Sequence, residues 1–208
     1  MASQATHVIL AEMVFDEYFS HFSKQKFILG TMFPDIRYLG VVTREQTHIQ
    51  SSGIKQIQEE PDAFLAGMKF HNLVDLVRED FMRSKQVYTY CPEFKYVTQS
   101  LKLLEDERYY SHINSWDGEL AYLADVVDEE RRFSISDAFL EKWHEMLRDY
   151  LQAPPTDASR AAFLTELKFS PETINAMKSF VDVLRGTIEV VHIIDEFIAA
   201  FPELLRKP

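Results

Sequence analysis

Helical spacing of apolar residues dominates this chain, and the residues that fold a β-sheet back on itself are scarce, with 6 glycines and 8 prolines in 208 residues. Tight hairpin turns draw heavily on glycine, so the pattern points to an all-α fold. The length suits one domain, 1–208. With 46% apolar residues, 16 of all residues being Phe, the chain can fill a sizeable core. The expected architecture is a single-domain multi-helix bundle with a long irregular loop around residues 31–58.

The first helix is expected from Thr6 to about Phe22, with Thr6 as N-cap. Its sequence, MASQATHVILAEMVF, lacks a basic n-region and a long apolar h-region, and reads as an amphipathic helix rather than a signal peptide. Phe27 to Gly30 reads as a short helical turn that Gly30 stops and Pro34 keeps from continuing. A helix is expected from about Pro61 to Ser84, with Pro61 at its first position. Pro92 opens another, to about Asp106. Further helices fit roughly His112–Arg131, Ser136–Leu151, Asp157–Lys168 and Pro171–Phe201. The segment VVTREQTHIQ is the one stretch suited to a short extended strand.

Net charge narrows the partners. At −11, with a pI near 5.1, the average field repels free nucleic acid, whose phosphates are bound mainly by Lys and Arg, and it attracts cations. Cys91 is the single cysteine, so an intrachain disulfide and a cysteine-rich zinc site are both excluded, in keeping with a reducing compartment. No apolar run approaches the roughly 18–20 residues needed to span a bilayer. The expectation is a cytoplasmic protein with no transmembrane segment, its oligomeric state left open.

The chemistry concentrates in Gly30 to His48, GTMFPDIRYLGVVTREQTH. Pro34 fixes its own φ and biases Phe33 towards extended geometry, which would hold the Asp35 carboxylate in place. His48 closes the same loop. Downstream, His71 and Asp75 form H-x-x-x-D, which puts both on one helix face, in a stripe with Phe64, Gly67, Met68, Val74, Arg78 and Met82. Burying such a pair is costly unless it is hydrogen-bonded or binds a cation. Two readings stand at this point. One is a set of metal ligands. The other is an aspartate capping a turn, a surface histidine, and a His–Asp core pair neutralised by Arg78. Gly67, one turn before His71, would let another segment approach closely. Phe33, Tyr38 and Leu39 beside Asp35 form either an apolar rim or core.

His192 and Glu196 supply H-x-x-x-E in TIEVVHIIDEF, among very apolar neighbours, where a polar pair is either ligated or hydrogen-bonded. Other histidines carry less. His144 opens HEMLR, which is not H-E-x-x-H, and reads as a surface or packing residue, as does His21. His112 is a distant ligand candidate. Cys91 reads as an inert thiol. No nucleophile elbow, P-loop or dinucleotide fingerprint is present.

In order and spacing, these residues resemble the zinc-dependent phospholipase C and S1/P1 nuclease superfamily. The pattern there is an early His, then G-x-x-x-P-D-I, then T-H, then G-x-x-x-H-x-x-x-D. Here it reads His7, Gly30 to Ile36 as GTMFPDI, Thr47-His48, and Gly67 to Asp75 as GMKFHNLVD. The resemblance implies an all-α fold that gathers one to three zinc ions. Such ions polarise a phosphoryl oxygen and lower the pKa of a bound water. Carried over, it implies His48, His71 and Asp75 as metal ligands, and Asp35 as a ligand to the same ion or as the catalytic group that orients the attacking water. It further implies His7 as a ligand to a second ion with Asp75 bridging, and His192 and Glu196 as ligands to a third.

The chain also departs from that pattern. It starts at Met1, without the processed N-terminal Trp of secreted members. Glu79 stands where many relatives place a further His. The expected function is metal-dependent hydrolysis of a phosphoester bond in a small phosphoester or a phospholipid head group. The competing expectation is a non-catalytic helical interaction protein that keeps a degenerate or structural metal site.

Overall fold

The computed structural model describes residues 4–49, 51 and 53–206, and among these the chain is an all-helical domain without strands. The helices are α1 (Gln4–Tyr18), α2 (Lys24–Met32), α3 (Arg44–Thr47), α4 (Ile54–Gln58), α5 (Ala63–Ser84) and α6 (Val97–Tyr109). They continue with α7 (Asp117–Tyr122), α8 (Asp128–Arg131), α9 (Asp137–Leu151), α10 (Asp157–Glu166), α11 (Pro171–Gly186) and α12 (Ile188–Leu204). None of the described helices is long and apolar enough to cross a membrane.

The first helix is not amphipathic. Gln4 through Ala11 are all buried, on every face, because α1 runs through the middle of the fold against α2, α5, α6, α9 and α12. Over those residues the helix is enclosed on all sides and has no polar face to display, while Met13, Asp16 and Glu17 further along it are exposed. Nor does Thr6 cap it. Thr6 lies inside the helix, and both its backbone N–H and its hydroxyl donate to Asp106 Oδ1 of α6, each at 2.8 Å. The polar residues of this helix therefore have tertiary partners.

The α2–α5 crossing brings the two backbones into close approach, and two glycines permit it. A Cβ on Gly30 would sit 2.0 Å from the Phe64 carbonyl oxygen, and one on Gly67 would sit 2.1 Å from the Phe27 carbonyl oxygen. Gly30 is thus a packing residue within α2, not the stop expected of it. The chain continues past it into a 3-10 turn over Phe33–Leu39, with Pro34 in its first positions. That turn ends at Gly40, whose φ of 76° lies in the left-handed region.

Residues 31–58 are therefore not an irregular loop. They hold the end of α2, the 3-10 turn, α3 and α4. Where VVTREQTHIQ suited a strand, Arg44–Thr47 within it form α3, whose start is fixed by the Thr43 N–H donating to Gln46 Oε1 at 2.8 Å; Gln50 lies outside the described residues. Asp62 caps α5 by accepting from the N–H groups of Phe64 and Leu65, so that helix begins two residues after Pro61. The helix expected from Pro92 starts only at Val97. The one expected over His112–Arg131 is broken into a 3-10 turn at Tyr110–His112, α7 and α8. The one expected over Pro171–Phe201 is split by Thr187, which is extended and follows Gly186. The α9 and α10 segments fall close to expectation.

One buried ion pair ties α5 to α6 beside the candidate site. The Arg78 guanidinium, 2% exposed, donates through Nε to both oxygens of Glu105, at 2.8 and 3.0 Å, and through Nη2 to Oε1 as well. Arg78 is thus committed to Glu105 and does not neutralise Asp75.

Candidate metal centre

Five of the seven candidate ligands converge. His7 comes from α1, Asp35 from the 3-10 turn, His48 from the C-terminal end of α3, and His71 and Asp75 from successive turns of α5. Donor atoms of Asp35, His48 and His71 lie within 4.8 Å of one another, as do those of His7, His71 and Asp75. His71 is common to both groups. The His7 and His71 rings stack at 4.0 Å and 8°, and the His48 ring meets His71 edge-on at 5.2 Å and 83°.

The proline turn prepares the orientation of His71. In a 3-10 register, the donor to the Thr31 carbonyl would be the nitrogen at Pro34, which carries no hydrogen. His71 Nδ1 meets that carbonyl at 2.9 Å. A carbonyl only accepts, so Nδ1 bears the proton and Nε2 presents a lone pair. The same reasoning applies to His48. The Thr47 hydroxyl has one proton and faces the Thr43 and Arg44 carbonyls at 3.3 Å. It therefore accepts from His48 Nδ1 at 3.1 Å, which again leaves the lone pair on Nε2. Among the described residues, neither His48 Nε2 nor His71 Nε2 makes a hydrogen bond, although both are buried. An imidazole held through Nδ1, with Nε2 bare, is the usual arrangement of a histidine ligand and its orienting partner.

The electrostatics keep these groups in ligand form. Burial and the adjacent His7 push the His71 pKa down to about 3. Burial, together with Arg44 and Arg37 and against the pull of Asp35, lowers that of His48 to about 4. Both imidazoles are therefore neutral near pH 7. Burial works against ionisation of Asp75, but Lys102 and then His71 and His7 hold its carboxyl well below the usual range. Burial likewise raises the Asp35 carboxyl, but His71, with His7 adding to it, leaves it below its ordinary value. Two neutral imidazoles beside two carboxylates form a nitrogen and oxygen donor set suited to a divalent cation such as zinc.

Asp75 faces Nε2 of His7 at 3.7 Å and Nε2 of His71 at 3.8 Å, one carboxylate oxygen to each. At His71, where Nε2 carries the lone pair, the carboxylate gains nothing from that contact unless a cation lies between them. Two protein cations also reach the carboxylates. Lys102 of α6 donates to Asp75 Oδ1, and Arg37 Nη2 lies 3.7 Å from Asp35 Oδ1. Gln4 Nε2 donates to Asp35 Oδ2 at 3.1 Å.

His192 and Glu196 do not join the cluster. His192 is exposed and Glu196 half-buried, and Glu196 is paired with Lys85. The apolar residues of α12 that suggested a buried pair face the core, while this H-x-x-x-E runs along its outer side. Glu79 also stands apart, accepting from Arg83 and from the Tyr88 hydroxyl, both at 2.7 Å. His144 is a buried packing residue, with Nε2 2.7 Å from Glu130 and Nδ1 3.2 Å from the Leu123 carbonyl. His21 and His112 are exposed. Cys91 is half-buried, its thiol pKa raised by burial. Phe33 is core, with Tyr38 and Leu39 partly buried against it.

Gln4, Thr31, Arg37 and Lys102 carry roles that sequence reasoning did not assign. Arg37 sits two residues after Asp35 in the same turn, so its presence at the site was legible from spacing. Lys102 comes from a different helix, and no local pattern marks it. Comparison with models of known protein families, with curated proteins and with solved structures returned no match.

Proposed function

We propose that this protein binds a divalent metal ion, zinc by preference, at Asp35, His48 and His71, with His7 and Asp75 adjoining, and uses it to hydrolyse a phosphoester bond. The observation that carries the reading is that ligand atoms of Asp35, His48 and His71 lie within 4.8 Å of one another, while His48 Nε2 and His71 Nε2 are buried without a hydrogen bond. When bound, the cation supplies Lewis acidity towards the phosphoryl oxygen and lowers the pKa of a water.

The chain's own groups do the rest. Asp35 is fixed by Gln4 and placed to accept a proton from the attacking water. The water oxygen forms a new bond to phosphorus while the bond from phosphorus to the alkoxide oxygen breaks. Of the two water protons, one remains on the new phosphate oxygen and the other passes through Asp35 to the departing alcohol. Arg37 and Lys102 offset charge that builds on the phosphoryl oxygens.

A second reading is supported by one observation, the pairing of Lys102 with Asp75 and the approach of Arg37 to Asp35. These contacts balance both carboxylates within the protein. That would suit a non-catalytic helical protein in which the cluster serves stability.

The two readings separate in one set of measurements. Protein purified without a metal-affinity tag is analysed for metal, then assayed for phosphomonoester and phosphodiester hydrolysis with and without chelator. Stoichiometric metal with chelator-sensitive turnover, lost in His71→Ala and Asp35→Asn, is expected. Stable, metal-free and inert protein would overturn the enzyme reading in favour of the second.

A further inference from the structure

Asp35 and Asp75 of the candidate metal centre also line a small cleft, together with Arg37, Arg44 and Lys102, with Tyr38, Thr98 and Gln99 completing the wall. Its composition runs against the protein as a whole. The chain carries −11, yet three cations here face two carboxylates. A bound divalent ion would raise the local excess further.

Arg37 lies 3.7 Å from Asp35 Oδ1 through Nη2 and keeps hydrogen-bonding capacity beyond that contact. Its guanidinium stacks over the Tyr38 ring at 4.0 Å and donates through Nη2 to the Tyr38 hydroxyl at 2.6 Å, while its buried Nε makes no hydrogen bond. Planar guanidinium held in this way suits an oxyanion. The volume of the cleft is about 110 Å³, well short of the ~300–1,000 Å³ of pockets that enclose drug-sized ligands. A phosphate group fits such a space. A nucleobase or an acyl chain does not.

From this geometry we infer that the cleft recognises a terminal phosphate monoester, entered end-on, with Arg37, Arg44 and Lys102 gripping its non-bridging oxygens and the rest of the substrate left in solvent. The inference rests on the phosphoester reading above and names its substrate class, a soluble phosphomonoester. Charge supports the choice, because a monoester dianion answers several cations where a diester brings one negative charge. Size supports it too, since a diester carries a second substituent that a cleft of about 110 Å³ would have to admit. The wall residues are polar or charged apart from the Tyr38 ring, which offers no apolar path for a lipid chain.

The test is titration of the full chain, dialysed against chelator and then with zinc restored, with orthophosphate, methyl phosphate and dimethyl phosphate, followed by calorimetry and phosphorus NMR. Orthophosphate and methyl phosphate are expected to compete for one site, with dimethyl phosphate much weaker. Arg44 is exposed, so Arg44→Ala is expected to keep the thermal unfolding midpoint. It should weaken orthophosphate by about tenfold, as loss of one charge-assisted contact implies. Absence of orthophosphate binding, equal binding of dimethyl phosphate, or an unchanged affinity in Arg44→Ala would overturn the assignment. Co-sedimentation with phosphatidylcholine vesicles containing phosphatidic acid, but not with plain ones, would overturn the soluble source. Metal analysis of the same samples separates the two ideas. Protein that takes up zinc but no phosphate leaves the metal reading standing and removes this one. Protein that binds phosphate but never zinc does the reverse.

Discussion

Nε2 of His71 faces Oδ2 of Asp75 across 3.8 Å, while the Nδ1 hydrogen of the same ring is committed to the Thr31 carbonyl. A lone pair opposed to a carboxylate becomes favourable once a cation joins them. Binding to the folded chain alone must then stabilise it. Zinc at about a hundredfold over its Kd is expected to add ~2.7 kcal/mol to the unfolding free energy, read as a rise in Tm that chelator reverses. In Asp35→Asn the rise should shrink, with little change in the metal-free Tm, because an amide oxygen can still accept from Gln4. A zinc-independent Tm in the native chain would rule the ion out.

Gly67 is where the α2–α5 crossing and the metal centre meet. A methyl there would lie 2.1 Å from the Phe27 carbonyl oxygen and 2.8 Å from the Thr31 nitrogen, both backbone atoms that cannot swing aside. Gly67→Ala is expected to cost at least the ~1–3 kcal/mol of ordinary overpacking. It should also weaken zinc uptake, by moving Thr31 away from His71. Gly118→Ala, in α7 with open space around it, serves as the control and should be neutral or gain up to about 1 kcal/mol. Equal denaturation midpoints for the two variants would contradict the close-crossing account.

The Arg78–Glu105 pair should behave as a buried charge pair does. Removing one partner strands the other, so Arg78→Met is expected to lose about 3–5 kcal/mol. Arg78→Met with Glu105→Leu should recover much of it, because no uncompensated charge then remains. A double mutant cycle in urea measures this. Additive losses would show that the two side chains act separately.

Asp106, which is not among the candidate ligands, gives a separate pH signature. Burial raises its carboxyl to about 6, against hydrogen bonds from Thr6 and Tyr150 that pull the other way. A carboxyl whose folded pKa exceeds its unfolded value binds more protons when folded, so its contribution to stability falls as pH rises. The loss should develop between the ordinary carboxyl range and about pH 6 and be complete above it. Asp106→Asn removes that dependence. The stability gap between native chain and variant should therefore shift in favour of the variant as pH rises from 4 to 7. Parallel profiles would show that Asp106 does not titrate in this window.

Much of the candidate site was legible in the chain. The H-x-x-x-D spacing placed His71 and Asp75 on one face of a helix that does form, and the proline-bounded turn does carry Asp35 to them, with His48 following. Local rules suffice for these, since helix pitch and proline geometry act over a few residues. The same spacing rule failed at His192 and Glu196. It says that two side chains share a face but not which way the face points. Similarly, Gly30 carried the right signal for close approach and was read as a helix stop, because the partner backbone at Phe64 is invisible from its own neighbourhood.

The sequence by itself determined the helical class, the acidic surface charge, and a set of nitrogen and oxygen ligands spaced to meet. Tertiary structure alone decided that the first half of α1 is enclosed on every side, so that His7 stacks on His71 inside the core. It also decided that Lys102 of α6 reaches Asp75, and that three cations gather at the mouth of the cleft. The physical reason is range. Hydrogen-bonded helices and proline turns are settled by neighbours in sequence, whereas burial, charge pairing and the protonation of an imidazole depend on groups that only folding brings within a few ångströms.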